Sequence, residues 1–390
     1  MTTTQQFTQN EENPSVMQRL EHPMALYKLI LGCTIALLLS GLVMVASASS
    51  IFAYTTYGGN QWALVERQVL FAIIGYFGMI VLSKQDNDRL KKISGVFLLG
   101  VVFLLVAVLL IGSSVNGQRN WIEFGSVIRF QPSEFAKLGI ILYGAKIFSD
   151  YEGELHLKQR LLNPYALVCG TVLLLIIFEK DVGTAMIMMP IMASALYFVG
   201  APQRWFAVLG TCFLGIIVAA TIIAPYRMAR FTSWLNPHAD EQGAGYQLLH
   251  GQRALGSGGW LGVGLGGSKE KWGTLPEAHT DFIYAVIGEE VGLIGTITIL
   301  ALFTAIILAG LRIARLSNDL FTRLVTLGIV TWIATQAFVN IGAVLGLLPI
   351  TGVPLPLVSY GGSSLIPTLA ALGILLAFAK RQAESAELDR

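Results

Sequence analysis

Charged residues are scarce in this chain. Only 13% of its 390 residues are Asp, Glu, Lys or Arg, and 54% are hydrophobic, whereas soluble domains carry about 25% charged residues. The net charge is +2, so the chain lacks the strongly basic field that attracts nucleic acid, and we exclude nucleic acid as a partner. The scarcity of charge indicates a membrane protein.

Cysteine is also scarce, and the signatures of several enzyme classes are missing. Cys33, Cys169 and Cys212 lie in apolar runs, without the Cys-x-x-Cys or Cys/His spacing of a metal or redox centre. The sequence has no Gly-x-Ser-x-Gly elbow, Walker A motif or His-Glu-x-x-His motif. Serine hydrolase, nucleoside triphosphatase and metalloprotease functions therefore lose their usual support.

Long apolar runs recur along nearly the whole chain. Each is long enough to cross a hydrocarbon core of ~30 Å at about 1.5 Å per residue. We therefore expect an all-α polytopic membrane protein with about ten transmembrane helices. The predicted crossings are 29–50, 63–83, 93–113, 132–148, 164–178, 182–200, 205–224, 282–311, 323–345 and 354–379. The eighth is longer than a span requires and is expected to tilt or project.

Basic residues indicate the orientation. In a ten-crossing arrangement those of the short loops fall on one side, which the positive-inside rule assigns to the cytoplasm. They are Arg19, Lys28, Lys84, Arg89, Lys91, Lys92, Lys158, Arg160, Arg204, Arg312, Arg315, Lys380 and Arg381. We expect a flexible cytoplasmic tail over 1–25, a transmembrane domain over 26–380 and a cytoplasmic tail over 381–390 in the inner membrane.

The outward loop over 225–281, between the seventh and eighth crossings, is far longer than an ordinary connection. Tyr246, Trp260 and Trp272 are aromatic residues of the kind found at membrane interfaces. Glycines are dense over 256–267, which predicts a short amphipathic helix followed by glycine turns resting on the outer membrane face. A flexible surface loop would have a similar composition.

Ionisable residues cluster where this loop meets the eighth crossing. Glu277, His279 and Asp281 lie at its outer mouth, where partial burial can tune a carboxylate for general-base work near neutral pH. The alternative for Asp281 is to cap the first turn of the helix. Glu289 and Glu290 lie deeper and are expected to be paired structurally.

A second polar group precedes and enters the fourth crossing. Glu134 and Lys137 are three residues apart and share a helix face, so they form either a structural pair or a site where Lys137 holds a phosphate oxygen. Arg119 and Arg129 would add to such an anion site. Asp181, beside Lys180, is expected to belong to a solvated charge cluster.

A third group lies over 347–365, where prolines and glycines interrupt an apolar run. Irregular backbone at membrane depth is tolerated only when protein buries it or when it lines a wet cavity. Ser359, Tyr360, Ser363 and Ser364 therefore either satisfy freed backbone groups or contact a ligand.

The three groups together resemble the SEDS family of peptidoglycan glycosyltransferases, most closely its cell-division branch, FtsW, rather than its elongation branch, RodA. The similarity spans residues from about 26 to 380. Its motifs are Gln118-Arg-Asn-Trp, Phe130-Gln-Pro-Ser-Glu-Phe-Ala-Lys-Leu, Pro276-Glu-Ala-His-Thr-Asp-Phe-Ile and Pro349-Ile-Thr-Gly-Val-Pro-Leu-Pro-Leu-Val-Ser-Tyr-Gly-Gly-Ser-Ser. One departure is Glu179-Lys180, where the family more often has Gln-Pro.

The resemblance implies that the chain polymerises lipid II into glycan strands at the outer membrane face, with inversion at the anomeric carbon. Asp281 matches the aspartate of the family's His-Thr-Asp motif and is the expected general base. The expected substrate-binding residues are Lys137, Arg119, Glu134, Lys271, His279 and Ser363. A divalent cation such as Mg²⁺ would assist the departing diphosphate, but no ligand cluster in the sequence demonstrates one.

Two other functions fit the same helices. A lipid II flippase would need a polar path through both leaflets, whereas Arg119, Lys137, Asp181 and Asp281 are all predicted at the outer face, which favours the enzyme. A scaffold of the division machinery would not need Asp281. The resemblance also implies a location at the septum and contacts with a class B penicillin-binding protein, other divisome membrane proteins and membrane lipids.

Overall fold

A computed structural model describes residues 24–115, 118–124, 128–151, 158–223, 225–243 and 245–388. Most of the predicted tail over 1–25 lies outside these residues. The α-helices are α1 (Ala25–Thr56), α2 (Ala63–Leu82), α3 (Asn87–Ile111), α4 (Pro132–Asp150), α5 (Lys158–Phe178), α6 (Val182–Phe198), α7 (Gln203–Ile223), α8 (Pro225–Leu235), α9 (Tyr246–Ser257), α10 (Ile283–Leu316), α11 (Leu320–Val344) and α12 (Gly362–Leu388).

The apolar helices confirm the predicted membrane-protein fold. Within the described residues, six helices have the length and hydropathy of a membrane span, namely α1, α2, α3, α10, α11 and α12, and three shorter apolar helices cover 164–178, 182–198 and 203–219. Each predicted crossing overlaps a helix. The total of ten crossings stays a prediction.

A small antiparallel sheet lies between α3 and α4 and was not foreseen from the sequence. Its strands, in spatial order, are β1 (Ser113–Val115), β2 (Gln118–Phe124) and β3 (Ile128–Phe130). Along β2, Asn120 and Ile122 are buried while Arg119 and Glu123 are exposed, the alternation of a half-buried strand. The fold is therefore helical except for this sheet.

The long helix α10 is broken rather than simply tilted. Gly292 has φ 76° and ψ −167°, a conformation open to glycine but strained for other residues. The main chain of the preceding loop fills the break, because Gly259 and Trp260 accept hydrogen bonds from Leu293 and Ile294 (2.9 and 3.3 Å). The glycine-rich loop is thereby attached to the membrane helix.

The irregular backbone predicted over 347–365 is present over 347–361, whereas 362–365 are helical. Helix α12 begins at Gly362, so the predicted start of the last crossing at residue 354 is wrong. Three prolines precede α12 in this stretch, and proline lacks the N–H that a helix interior needs. The irregular segment, called here the buttress loop (residues 349–361), packs beside the residues that precede α10.

The short helix predicted within the 225–281 loop is also present. Helix α9 covers Tyr246–Ser257 and buries Leu248, Leu249 and Ala254, while Trp260, Leu261 and Leu265 beyond it are exposed. This arrangement agrees with the predicted amphipathic helix followed by glycine turns.

Candidate active site

Three successive main-chain carbonyl groups of the segment that carries Asp281 each accept a hydrogen bond. These bonds join His279 O to Tyr360 N (3.0 Å), Thr280 O to the Ser359 hydroxyl (2.6 Å) and Asp281 O to the Asn340 side-chain amide (2.8 Å). Two donors belong to the buttress loop and one to α11. The main chain at Asp281 is therefore held by groups outside α10.

The Asp281 carboxylate is half-buried. Its pKa is raised from the ordinary 3.8 to about 7. Burial, which withholds water from the anion, is the main cause; repulsion from Glu277 adds to it, and attraction to Arg230 opposes both. In the described residues no side chain caps the first turn of α10, so Asp281 does not cap it. A carboxyl group with this pKa exchanges protons readily at neutral pH.

His279 packs between aromatic rings. Its ring centroid lies 4.9 Å from that of Phe52 on α1 and 5.8 Å from that of Tyr360. Burial lowers the pKa of the imidazole, which favours the neutral form at pH 7. His279 belongs to the segment that carries Asp281, and its ring contact with Phe52 links this segment to α1.

Asp181 is buried at the start of α6, so the predicted solvated charge cluster is wrong. Its carboxylate accepts hydrogen bonds from the Gln131 amide (2.7 Å), the Ser133 hydroxyl (2.9 Å) and the Thr184 N–H (3.0 Å). These donors compensate for the water that the carboxylate loses.

Glu179 is also buried. Neither of its carboxylate oxygens has a hydrogen-bond partner within the described residues. Burial, with repulsion from Asp181, raises the pKa of Glu179 to about 9. The side chain is therefore protonated at neutral pH.

The buttress loop lies close to both Asp281 and the residues that follow Asp181. A Cβ atom placed on Gly352 would lie 3.6 Å from Asp281 Oδ2, and one placed on Gly183 would lie 3.0 Å from Thr351 O. Gly183 follows Asp181 by two residues. The starts of α6 and α10 thus lie on either side of the same loop.

Ser363 occupies a main-chain bridge. Its hydroxyl donates to Arg129 O (3.0 Å) and accepts from Gln131 N (3.1 Å). It joins the start of α12 to the strand end that leads into α4. Of the two roles considered for Ser363, the hydrogen bonding of main-chain groups is present. Substrate binding by Ser363 stays a prediction.

Lys137 is fully buried between α4 and α11. Its ammonium lies 2.7 Å from Glu134 Oε2, 3.0 Å from Gln336 Oε1 and 4.7 Å from the centroid of the Trp332 ring. Gln336 in turn donates to Pro354 O (3.0 Å). The predicted pair with Glu134 is present, and its surroundings leave the ammonium without access to solvent in this conformation.

Lys271 is paired with a carboxylate of α10. Its ammonium lies 3.0 Å from Glu290 Oε1 and donates to the Ser47 hydroxyl over 3.0 Å. Glu289 accepts from the Ser268 hydroxyl and the Lys269 N–H. The expected pairing is present for Glu290, which has Lys271 as its cation, whereas the partners of Glu289 are neutral donors.

Arg119 closes the end of α3. Its guanidinium donates to Gly112 O (2.9 Å) and Leu110 O (3.1 Å), carbonyl groups that the helix end leaves without intrahelical partners. The residue is otherwise exposed. Anion binding by Arg119 stays a prediction.

Comparisons with known proteins agree with this architecture. A profile of the cell cycle protein family of FtsW, RodA and SpoVE matches residues 27–384. The chain belongs to this family. The predicted SEDS resemblance is confirmed, and with it the expectation of an enzyme of the peptidoglycan glycosyltransferase class.

Relatives in the FtsW/RodA/SpoVE family match over most of the chain. Stage V sporulation protein E of Bacillus subtilis strain 168 is 39% identical over 350 residues, covering 89% of this chain and 95% of that protein. The probable peptidoglycan glycosyltransferase FtsW of Coxiella burnetii is 40% identical over 358 residues, covering 90% and 95%.

Solved structures show the same fold. A chain from a peptidoglycan synthase complex is 29% identical, with a TM-score of 0.73, and covers 90% of this chain and 97% of that chain. The rod shape determining protein RodA of Thermus thermophilus is 26% identical, with a TM-score of 0.65, covering 90% and 96%.

Three residues that support the site were not predicted from the sequence. Asn340 holds Asp281, Gln131 holds Asp181, and Arg230 acts on the Asp281 pKa. Gln131 stands next to the proline that starts α4, but Asn340 lies in an apolar helix and gave only the signal of a polar residue at membrane depth. Among the described residues no cluster of three or more potential ligands is arranged to hold a metal ion.

Proposed function

We propose that this family member polymerises lipid II into glycan strands at the outer face of the cytoplasmic membrane, with Asp281 as the general base of an inverting transfer. The observation that supports this most directly is the half-buried Asp281 carboxylate, whose pKa is raised to about 7. Its segment is held by three hydrogen bonds to successive main-chain carbonyl groups. A base with a pKa near the working pH is well suited to proton removal.

The proposed step joins two lipid-linked sugars. A hydroxyl oxygen of the acceptor sugar attacks the anomeric carbon of the donor, and the bond from that carbon to the diphosphate oxygen breaks. The electron pair leaves with the polyprenyl diphosphate, while the hydroxyl proton moves to Asp281. Fixing the carboxylate before the substrate arrives lowers the cost of orienting it.

Cations assist the departing diphosphate in this proposal. The candidates are Lys137, oriented by Glu134, together with Arg119. Lys271, whose ammonium is paired with Glu290, would contact a sugar hydroxyl of the substrate, and His279 and Ser363 complete the proposed substrate contacts. Arg119 is exposed, whereas Lys137 would have to leave its partners Glu134 and Gln336 to reach a phosphate. A divalent cation such as Mg²⁺ would supply further charge when bound.

The proposed setting is septal cell-wall synthesis. One structural neighbour belongs to a peptidoglycan synthase complex that coordinates polymerization and crosslinking, which supports a transpeptidase partner, a class B penicillin-binding protein, for this chain among other divisome membrane proteins. We place the membrane domain at 26–380, the outer loop at 225–281 and the tails at 1–25 and 381–390 in the cytoplasm.

The test is polymer formation from lipid II by the purified full chain, alone and with a transpeptidase partner. Asp281→Asn keeps the size of the side chain but removes the base, so polymer yield should fall at least about 100-fold. Glu241→Gln, which changes an exposed carboxylate of the same loop that does not act on the Asp281 pKa, is the matched control and should keep most of the activity.

Polymer formation by Asp281→Asn at the wild-type rate would contradict the assignment of the base. Labelled lipid II in vesicles separates the remaining alternatives. Transport across the bilayer without polymer would support a flippase, and neither transport nor polymer would support a scaffold.

A further inference from the structure

A cavity of about 350 Å³ opens between the outer end of α1 and the glycine-rich loop. Its lining includes neither Asp281 nor any residue of the buttress loop. The residues around it are Ser50, Ile51, Tyr54, Gln61, Gly266, Lys271 and Trp272.

The lining combines aromatic faces with neutral hydrogen-bonding groups. Tyr54 is 60% exposed and Trp272 is 70% exposed, so both rings are accessible. Gln61 supplies a carboxamide with donors and an acceptor, and the Ser50 hydroxyl, which donates to Ser47 O over 2.9 Å, keeps acceptor capacity. Sugars fit such a lining because their rings present apolar C–H faces to aromatic rings and hydroxyl edges to amide and hydroxyl groups.

The charge of the cavity also favours a neutral ligand. Lys271 is the charged member of the lining, and its ammonium is matched by Glu290 at 3.0 Å. An ammonium has three N–H groups; within the described residues, those of Lys271 bond to Glu290 and Ser47, which leaves one for a ligand hydroxyl. A phosphate would meet a cation that is already neutralised, whereas a sugar hydroxyl needs only the donor.

A neighbouring cavity differs in chemistry. It measures about 590 Å³, lies between α1 and α10, and is lined mainly by aliphatic residues such as Leu39, Val43 and Ile294. Glu290 lines this cavity while its partner Lys271 lines the smaller one. The ion pair therefore separates an apolar space from a polar one, and the smaller cavity is not a continuation of a lipid groove.

The cavity and the contact with His279 lie on different faces of α1. Phe52, which lies between Ile51 and Tyr54 in the sequence, packs on His279 with 4.9 Å between ring centroids, two residues before Asp281. At about 100° per residue, Phe52 lies on the face of α1 roughly opposite Ser50 and Tyr54, so a sugar in the cavity would lie across this helix from the Asp281 segment.

We propose that the cavity lined by Tyr54, Gln61, Lys271 and Trp272 is a saccharide subsite that binds a neutral sugar residue of the glycan strand. This inference rests on the proposed function and names a subsite for it. The subsite holds the strand on the far side of α1 from the Asp281 segment between successive transfers.

Binding of a neutral oligosaccharide tests the subsite without relying on catalysis. The probe is a soluble β-1,4-linked N-acetylglucosamine oligomer titrated into the purified full chain, followed by calorimetry. Tyr54→Ala and Trp272→Ala should each weaken binding about tenfold, as expected for the loss of one stacked ring, while Trp272→Phe should restore most of it.

Trp260→Ala is the matched control. Trp260 is 71% exposed on the same loop but does not line the cavity, so oligosaccharide binding should not change. Asp281→Asn should also bind the oligomer normally, which separates failure of the subsite from failure of the proposed base. With lipid II as substrate, Trp272→Ala should give shorter strands than the Trp260→Ala control.

Equal affinity of Trp272→Ala, Tyr54→Ala and Trp260→Ala for the oligomer would overturn the proposal. So would displacement of the oligomer by a short-chain anionic phospholipid at equal concentration, because that result would identify a lipid headgroup site. Thermal melting of each variant establishes that it is folded.

Discussion

The side-chain amide of Asn340 joins Asp281 to the buttress loop. Its two N–H groups donate to Asp281 O and to Val353 O, each over 2.8 Å. Two carbonyl acceptors define the orientation of the amide, because a reversed amide would place oxygen against oxygen. Within the described residues its Oδ1 has no hydrogen-bond partner, so the side chain is retained at an energetic cost of about 1–3 kcal/mol.

We predict that Asn340 positions the base rather than binding substrate. Asn340→Ala removes both hydrogen bonds and frees the main chain of Asp281, so kcat for lipid II polymerisation should fall about tenfold or more with little change in KM. Steady-state kinetics measure both. An increase in KM at unchanged kcat would assign Asn340 to substrate binding instead.

The second prediction concerns the pH dependence of polymerisation. The pKa of Asp281 is raised to about 7, and the base must be ionised, so kcat/KM should fall as the pH drops below about 7. Glu277→Gln removes a repulsion that raises this pKa and should move the acid limb to lower pH. Arg230→Gln removes an attraction that lowers it and should move the limb to higher pH.

The measurement is the pH–rate profile between pH 5 and 9. Glu241→Gln serves as a control because Glu241 is an exposed carboxylate that does not act on the Asp281 pKa. Shifts of Glu277→Gln and Arg230→Gln in the same direction would contradict the electrostatic explanation.

The third prediction separates a structural from a functional role for Lys137. Lys137→Met leaves Glu134 buried without its cation, which costs about 3–5 kcal/mol and should reduce thermal stability and activity together. Adding Glu134→Leu removes the unpaired charge and should recover most of the stability.

Activity of the double variant decides the role. If Lys137 holds diphosphate, the stable Glu134→Leu/Lys137→Met chain should remain inactive. Recovery of polymer formation along with stability would make the pair purely structural. The single variant Glu134→Leu, which leaves the ammonium unpaired, is the matching reference for both measurements.

The fourth prediction concerns Glu179. Its pKa is 4.5 in the ordinary environment and about 9 in the fold, so the folded state binds the proton more tightly than the unfolded state. Its contribution to stability is therefore greatest below pH 4.5 and is lost as the pH rises toward 9, by at most ~1.4 kcal/mol per pH unit.

Glu179→Gln replaces the acid with a neutral group of similar shape. The variant should melt at a higher temperature than the wild type at pH 8, and the difference should shrink at pH 5. Thermal melts in detergent at both pH values measure it. A stability difference that does not depend on pH would show that Glu179 is not protonated in the fold.

The candidate site was partly predictable from local sequence. Asp281 was a candidate as an ionisable group at the mouth of an apolar helix, and its role as the base followed from its match to the family's His-Thr-Asp motif. The pair of Glu134 and Lys137 followed from helical spacing. Asp181 was misjudged as solvated, because its donors Gln131 and Ser133 lie about 50 residues away and are brought to it only by the packing of α4 against α6.

The amino-acid sequence by itself determined that this is a membrane-spanning helical protein, because hydropathy and helix length depend on consecutive residues and on the thickness of the bilayer. Only the tertiary structure decided where α10 breaks, since the N–H groups beyond Gly292 are satisfied by carbonyl groups of the preceding loop. It also decided which polar side chains support Asp281. Hydrogen bonds such as that from Asn340 join residues 59 positions apart, and a local pattern carries no record of such distant partners.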